Sequence, residues 1–360
     1  HYWTPSSKLK INTTAYYWFG KGGSTSLEWG EAADPRPDYY RNLPSYYLYR
    51  LNNGDEGYTW EGYEAYKQQW IEDENMHQID WDALYATNIR TLKTVNNANN
   101  IEGNTIQGRF SKYIVEQRRQ DKNQAGLTSS FNYELNPNIH FNGGVKIGMS
   151  KTHYYKLVAD LLGGDYYLDI DKYAEGEAIE ITDVQQVDLN NKNHVAKVGD
   201  VIGYNYIANN NKAVIWGQAD YTKGHWTAFI GAEGSFTQMY RTGLFENGRF
   251  AGQESYGDSE KLNFINGSAK AGASYAINGR NYLLANVMYK NAAPDFRSAF
   301  VAPRVRNTVV QGLDSEKILS YDISYEYRSP LVKARLSAYR TDFKDLTWNR
   351  SFYYEATGKF

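Results

Sequence analysis

The sequence predicts an all-β chain, an antiparallel transmembrane β-barrel segment of about ten strands with long extracellular loops, one of them containing short helices. Three observations predict it. Apolar and polar residues alternate with a period of two along segment after segment, as in strands whose two faces meet different surroundings. Tight turns and long connections also alternate along the chain, the way outer-membrane barrels are built. Tyrosine is abundant: 33 Tyr, 9 Trp and 14 Phe give 16% aromatics, and such rings are favoured where one end is apolar and the other wet.

The first strand, 8–20, sets Leu9, Ile11, Thr13, Ala15, Tyr17 and Phe19 against Lys8, Lys10, Asn12, Thr14, Tyr16 and Trp18. Residues 106–135 read as one long strand, because two strands there would put the turn at Asn136-Pro137-Asn138 on the wrong side. Its first half carries Arg109, Lys112, Glu116, Arg118 and Arg119, too charged for lipid, and is expected to project beyond the membrane. Strands follow at 139–152, 205–221, 226–241, 262–277, 280–291, 315–328, 331–343 and 350–357, the last looking clipped. Each of the others supplies the roughly 9 to 11 residues that a tilted spanning strand needs. Pro5-Ser6-Ser7, Asn136-Pro137-Asn138, Thr222-Lys223-Gly224, Asn278-Gly279 and Ser329-Pro330 are tight turns, and Asn-Gly signals a type I′ hairpin. The long loops run over 21–105, 153–204, 242–261 and 292–314.

Composition removes several other classes. The hydrophobic fraction is 41% but mean hydropathy is -0.68, and no run approaches the roughly 18 to 20 apolar residues of a membrane helix. With 39 basic and 41 acidic side chains the net charge is -2, which gives no field for nucleic acid, so none is expected as a partner. There is no cysteine, hence no disulfide and no thiolate metal site. Six His residues make no HExxH pair, and neither a Gly-x-Ser-x-Gly elbow nor a P-loop occurs, so no enzyme and no cofactor is expected.

From Asn281 to Asp345 the chain reads NYLLANVMYKNAAPDFRSAFVAPRVRNTVVQGLDSEKILSYDISYEYRSPLVKARLSAYRTDFKD. This stretch resembles the barrel domain of TonB-dependent receptors, in which a strand ends on a segment similar to Ala293-Pro294-Asp295-Phe296-Arg297. A loop then leads to Gly312-Leu313-Asp314-Ser315-Glu316-Lys317, and two strands close on Tyr339 to Asp345. Arg36-Pro37-Asp38-Tyr39-Tyr40, Leu43-Pro44-Ser45-Tyr46 and Leu161-Leu162-Gly163-Gly164-Asp165-Tyr166-Tyr167 resemble loops of one subgroup. The resemblance implies a barrel of about 22 strands around an N-terminal plug, in the bacterial outer membrane. Residues 1–360 would then be part of such a barrel, with the plug and its energy-coupling box outside this sequence. The partners implied are outer-membrane lipid, the plug, the remaining barrel strands, the TonB complex reached through the N-terminal part, and a surface lipoprotein. The function implied is import of a nutrient, with a glycan or peptide fragment favoured by the aromatic mouth. A non-transporting surface barrel and a soluble carbohydrate-binding β-protein remain the alternatives.

Candidate site residues lie in the loops. Tyr39, Tyr40, Tyr46, Tyr47, Trp60 and Trp70 of the first loop, with Tyr166 and Tyr167 of the second, are candidate stacking rings for substrate. A short helix is expected over Glu61–Glu72, with Tyr63, Tyr66 and Trp70 on one face that packs on the barrel rim or offers a stacking platform. Arg297 and Arg304, with Arg306, either steer an acidic substrate or pair with Asp295 and Asp314. Asp165, Asp169 and Asp171, near Glu175 and Glu177, are a weak calcium candidate that lacks EF-hand spacing. Glu233, Lys270, Asp322, Glu326, Lys333 and Arg335 fall on the polar parity and are expected to face the lumen and hold the plug.

Overall fold

A computed structural model describes residues 1–172, 174, 182–348 and 350. In chain order the strands and helices are β1 (Tyr2–Ser6), β2 (Leu9–Trp29), α1 (Pro44–Asn52), α2 (Trp60–Glu72), α3 (Trp81–Arg90), β3 (Leu92–Val95), β4 (Ile106–Arg109), β5 (Tyr113–Asn136) and β6 (Ile139–Asp160). Then come β7 (Tyr167–Leu168), β8 (Val195–Ala196), β9 (Val201–Lys223), β10 (Trp226–Gly243), β11 (Gly257–Asp258), β12 (Leu262–Ala276), β13 (Asn281–Ala292), α4 (Phe296–Ala299), β14 (Glu316–Arg328) and β15 (Lys333–Lys344).

The main sheet has 11 strands in the order β1-β2-β5-β6-β9-β10-β12-β13-β14-β15, with β11 paired to β10. Ten of these strands form an up-and-down meander. Its connections alternate as the sequence predicts: short after β1, β5, β9, β12 and β14, long after β2, β6, β10 and β13. The turn at Asn278-Gly279 is not a type I′ turn, because neither residue takes a positive φ. Asn278 Oδ1 closes it instead, accepting from the backbone N–H groups of Arg280 (2.9 Å) and Asn281 (3.0 Å).

Strand boundaries depart from the sequence reading at several places, β2 running on to Trp29 and β6 to Asp160. Tyr2–Ser6 is an additional strand paired with β2. Residues 106–135 are not one strand: β4 pairs with β3 in a separate two-stranded sheet, and the long strand starts at Tyr113. The break has a physical cause at Asn88, whose Oδ1 accepts from the N–H groups of Lys112 (2.9 Å) and Tyr113 (3.1 Å) and so takes two donors at the strand's start. The strand expected at 350–357 lies, apart from Arg350, outside the described residues.

The chain divides into two compact units. The first, residues 1–22, 120–154 and 204–360, holds most of the sheet, and there the side-chain alternation runs opposite to that of a water-soluble sheet. Along β13 the apolar parity, Leu283, Ala285, Val287 and Tyr289, is exposed, whereas Tyr282, Leu284, Asn286 and Met288 are half-buried. Along β14 Leu319, Tyr321, Ile323 and Tyr325 are exposed, while Ser320, Asp322 and Glu326 are half-buried and Ser324 is buried. Ile230 on β10 is 65% exposed and Ile265 on β12 is 86% exposed. The register sets these residues in rows: Trp226, Tyr275, Leu283, Tyr325 and Leu336 form one, and Ile230, Ala271, Val287 and Tyr321 another. From Trp226 to Phe236 the apolar parity of β10 spans about 10 residues, which at about 3.3 Å per residue and a tilt of about 40° makes a band about 25 Å tall.

The opposite face binds itself laterally. Asn286 Nδ2 donates to Asp322 Oδ2 (3.0 Å), Ser324 and Ser337 share a hydrogen bond (2.9 Å), and Arg335 Nη2 donates to Ser324 Oγ (3.1 Å). Glu326 pairs with Arg328 at 2.8 Å.

The second unit, residues 23–119 and 155–203, comprises most of what the sequence reading treats as two loops. It folds around its own apolar clusters. Val95, Ala98, Phe110, Tyr166, Leu168 and Val195 make one, Ile114, Val158, Leu161, Tyr167, Ala196 and Ile202 a second, and Leu84, Tyr113 and Leu162 a third. Asn88, fully buried on α3, joins its segments: its Nδ2 donates to the carbonyls of Tyr113 (2.7 Å), Leu161 (3.0 Å) and Leu162 (3.1 Å).

Candidate functional site

The helices of the second unit begin where the chain supplies caps. Pro44 occupies the first turn of α1, where a missing N–H costs nothing. Thr59 Oγ1 accepts from Gly62 N (3.1 Å) at the start of α2, and Asp80 Oδ1 accepts from Ala83 N (2.9 Å) at the start of α3. Tyr46, Tyr49 and Arg50 of α1 and Asn53, its C-cap, follow at i, i+3, i+4 and i+7, which places them on one side of the helix. With Tyr40, Ser45 and Asp55 they line an open hollow of about 730 Å³.

The hollow combines ring faces with a charged hydrogen-bonding fork. Tyr40 and Tyr49 are half exposed, Tyr40 meets Tyr46 edge-on at 5.4 Å, and Tyr46 stacks on Tyr49 at 6.1 Å. The Arg50 guanidinium lies 5.9 Å from the Tyr46 ring and 5.2 Å from the Tyr58 ring, and it pairs with Asp55. Such a surface stacks a flat apolar face and hydrogen-bonds the groups around its edge.

The candidate residues are distributed unevenly. Tyr40 and Tyr46 line the hollow, and Tyr39 touches Tyr40 at 4.8 Å. Tyr47 faces the other helix, 6.0 Å from Tyr66 and 6.4 Å from Tyr63. The face of α2 that the sequence sets on a barrel rim therefore packs, through these two rings, on α1. Trp60 is 61% exposed beside Tyr63, and Trp70 packs on His77 at 5.0 Å. Tyr166 and Tyr167 are not stacking rings for a ligand: both are core, and Tyr166 donates its hydroxyl proton to the carbonyl of Lys93 (2.8 Å). The sequence reading leaves Tyr49, Arg50, Asn53 and Asp55 out of the candidate set. Their signal was the helical spacing after Pro44.

Two of the calcium candidates are taken by other partners. Asp165 makes a 2.6 Å pair with Arg109, and Asp169 accepts from the N–H of Gly203 (3.1 Å) and faces His194 at 3.7 Å; Asp171 is buried and donates its backbone N–H to Gln185 O (2.9 Å). Among the described residues no three His, Cys, Asp or Glu side chains gather as a metal site. Glu175 and Glu177 lie outside the described residues.

A charged cluster holds this unit together. Lys156 on β6 pairs with Glu28 of β2 (3.1 Å) and with fully buried Glu116 of β5 (2.6 Å); Arg118 also pairs with Glu116 (2.5 Å), and Lys172 with Glu28. Burial alone would raise the Glu28 carboxyl, but the charges of Lys156 and Lys172 outweigh it and hold the group down at about 2. A carboxyl depressed on folding adds stability above its unfolded value near 4.5 and loses it as pH falls toward about 2. Stability of this unit is therefore expected to hold from pH 7 to about 5 and to fall below about 4.5, with Glu28→Gln flattening that acid limb in a titration followed by tryptophan fluorescence.

In the first unit, Arg297 and Arg304 are exposed. They do not pair with Asp295 and Asp314: Asp295 Oδ1 accepts from the backbone N–H of Arg297 (2.8 Å), and Asp314 lies 3.9 Å from Lys317.

No family model matches the chain, and no curated protein matches it. Among solved structures, the chain is similar to the ferric citrate transporter FecA in its unliganded form, with a TM-score of 0.42 and 10% identity over 66% of this chain. It spans 32% of that protein's length.

Proposed function

We propose that this chain is part of an outer-membrane β-barrel transporter whose folded connections bind a nutrient, a glycan or peptide fragment, for TonB-energised import. The observation that carries the reading is the exposed apolar parity of the sheet, with aromatic rings in its rows and polar groups on the other face. In water that surface is costly; in lipid it is the stable outer wall. A plug domain and further strands complete the barrel, since open strand edges do not persist in lipid. The tyrosine-lined hollow on α1 serves as a ligand-contacting surface of the second unit, and the reading needs no catalysis.

Cells expressing the whole protein should carry it in the detergent-extracted outer-membrane fraction and take up labelled oligosaccharide or oligopeptide only while the proton gradient stands. Replacing Tyr40 and Tyr49 with Ala should weaken binding about tenfold, on the order expected for losing about 1.4 kcal/mol of ring contact. Binding with no uncoupler-sensitive uptake would make the protein a non-transporting surface barrel. A product that stays in solution without detergent would make it a soluble carbohydrate-binding protein.

A further inference from the structure

The charge in the α1 hollow is cancelled by the way the helix ends. Gly54, at φ 77°, donates its N–H to the Leu51 carbonyl (3.1 Å), and Asp55 donates its own to the Arg50 carbonyl (3.2 Å). This is a Schellman turn, which needs a left-handed residue and so takes glycine. Its geometry folds the residue after the glycine back onto the last turn of the helix, where an apolar contact is usual. Here the two side chains that meet are Asp55 and Arg50, and they pair as ions. The guanidinium is fixed further by the Tyr46 hydroxyl, to which Nη1 donates (3.2 Å), and by the Tyr58 ring at 5.2 Å.

Among the described residues, the lining therefore carries two charges, and they satisfy each other. Arg41, outside the lining, lies over the Tyr40 ring at 5.4 Å and donates to its hydroxyl (2.7 Å). The rest of the lining is Tyr40, Tyr46, Tyr49, Ser45 and Asn53; among the described residues no aliphatic side chain joins it, and Leu48 and Leu51 of the same helix lie outside it. A peptide is usually gripped by a strand edge, an apolar pocket, a counter-ion for its charges or an aromatic groove that takes polyproline. As the described residues build it, the hollow lacks the first three: its floor is a helix, its apolar surface is ring alone, and its charges are already paired. Against the fourth, polyproline has no N–H to give the oxygens of Asp55 and Asn53, and covering those acceptors without a donor is unfavourable.

We infer that the hollow takes a neutral oligosaccharide, and that Asp55, by occupying Arg50, sets its discrimination against acidic ones. This rests on the ligand-contacting role given to the hollow above and names the ligand's class. A pyranose presents a flat C–H face, which suits the half-exposed rings of Tyr40 and Tyr49. Its rim carries hydroxyls that both donate and accept, and these suit Ser45, Asn53 and the Arg50–Asp55 pair, which offer both kinds of partner. A uronate in the same place would bring its carboxylate beside Asp55 and find the Arg50 guanidinium taken.

The test is calorimetric titration of the full-length protein in detergent with neutral trisaccharides of glucose, galactose and mannose, with the best of them oxidised at C6 to its uronate, and with hexaproline and triglutamate. A neutral trimer should bind with an affinity that salt leaves unchanged, and its uronate at least about fivefold more weakly. Asp55→Asn should free the Arg50 charge and move that ratio at least about tenfold toward the uronate; adding Arg50→Gln should take the shift away again. The wild-type comparison stands whether or not a variant folds. Binding of no neutral trimer, or tighter binding of hexaproline or triglutamate, would overturn the inference. So would a wild type that prefers the uronate, which would put Arg41 in command of the site, or an Asp55→Asn ratio equal to the wild type's. A neutral trimer held as tightly after Tyr40→Ala/Tyr49→Ala would place the sugar elsewhere, with the same consequence. Uncoupler-sensitive uptake of a peptide with no neutral sugar bound would sink the inference and leave import standing; sugar binding that Tyr49→Ala removes, without any uptake, would do the reverse.

Discussion

In the lipid-facing wall proposed above, replacing Ile230 with Arg is expected to cost about 2–4 kcal/mol, enough to remove most of the folded protein from the outer membrane. Ile230 is 65% exposed and lies mid-way along the apolar parity of β10, between Trp226 and Phe236. Its row neighbours, Ala271, Val287 and Tyr321, offer no acid to meet the new charge. The same substitution at Ser268, on the polar parity of β12, should be tolerated, because that face carries Lys270 and has water or protein in front of it. The comparison has opposite signs in the two solvents. On a water-soluble sheet an exposed Ile→Arg change is harmless or improves solubility, whereas in a membrane it is among the worst changes available. Heat-dependent gel mobility of the membrane fraction, followed by urea unfolding in lipid vesicles, reads the difference. Wild-type levels of folded Ile230→Arg in the membrane would end the barrel reading.

The sheet was legible because its periodicity is local. A strand with one lipid face writes its orientation into every second residue, and the alternation of short and long connections gives the meander without any knowledge of contacts. Trp226 to Phe236 and Leu283 to Tyr289 needed only counting. The second unit was not legible for the converse reason. Its core joins Phe110 to Tyr166 and Val195, and Ile114 to Val158 and Ile202, across separations that no pattern in either loop announces. Tyr166 and Tyr167 illustrate the consequence: adjacent tyrosines in a loop read as ligand rings, but one buries itself against Phe110 and the other against Ile114. The hollow lies between these cases. Pro44 with Tyr46, Tyr49, Arg50 and Asn53 marks a helix with a polar aromatic side, whereas the contributions of Tyr40 and Asp55 appear only once the chain has turned.

Glu116→Ala is expected to destabilise the second unit by about 3–5 kcal/mol, the usual cost of stripping one partner from a buried ion pair. Glu116 is fully buried and serves three groups: Lys156 at 2.6 Å, Arg118 at 2.5 Å and the Ser26 hydroxyl at 3.0 Å. With it gone, Glu28 alone faces Lys156 and Lys172, and the charge on Lys156, whose side chain is 15% exposed, has little water to reach. The Lys156 ammonium shows the balance at stake: burial alone would lower it, yet the charges of Glu28 and Glu116 raise it above the ordinary lysine value. Removing Glu116 takes away part of that support. The variant Glu116→Leu/Lys156→Met separates charge from packing, since replacing both partners with apolar groups of similar volume is often neutral and should recover much of the loss. Hydrogen exchange at the backbone amides of Ile114, Val158 and Ile202, whose side chains form the adjacent core, reports on the parts of β5, β6 and β9 that belong to this unit. If Glu116→Ala leaves those amides as protected as in the wild type, the charges are only a solvated fringe and the apolar clusters alone hold the unit. If the double variant proves as unstable as the single one, an unpaired Lys156 is not the source of the damage, and what the single variant loses is the bonds of Glu116 to Arg118 and Ser26.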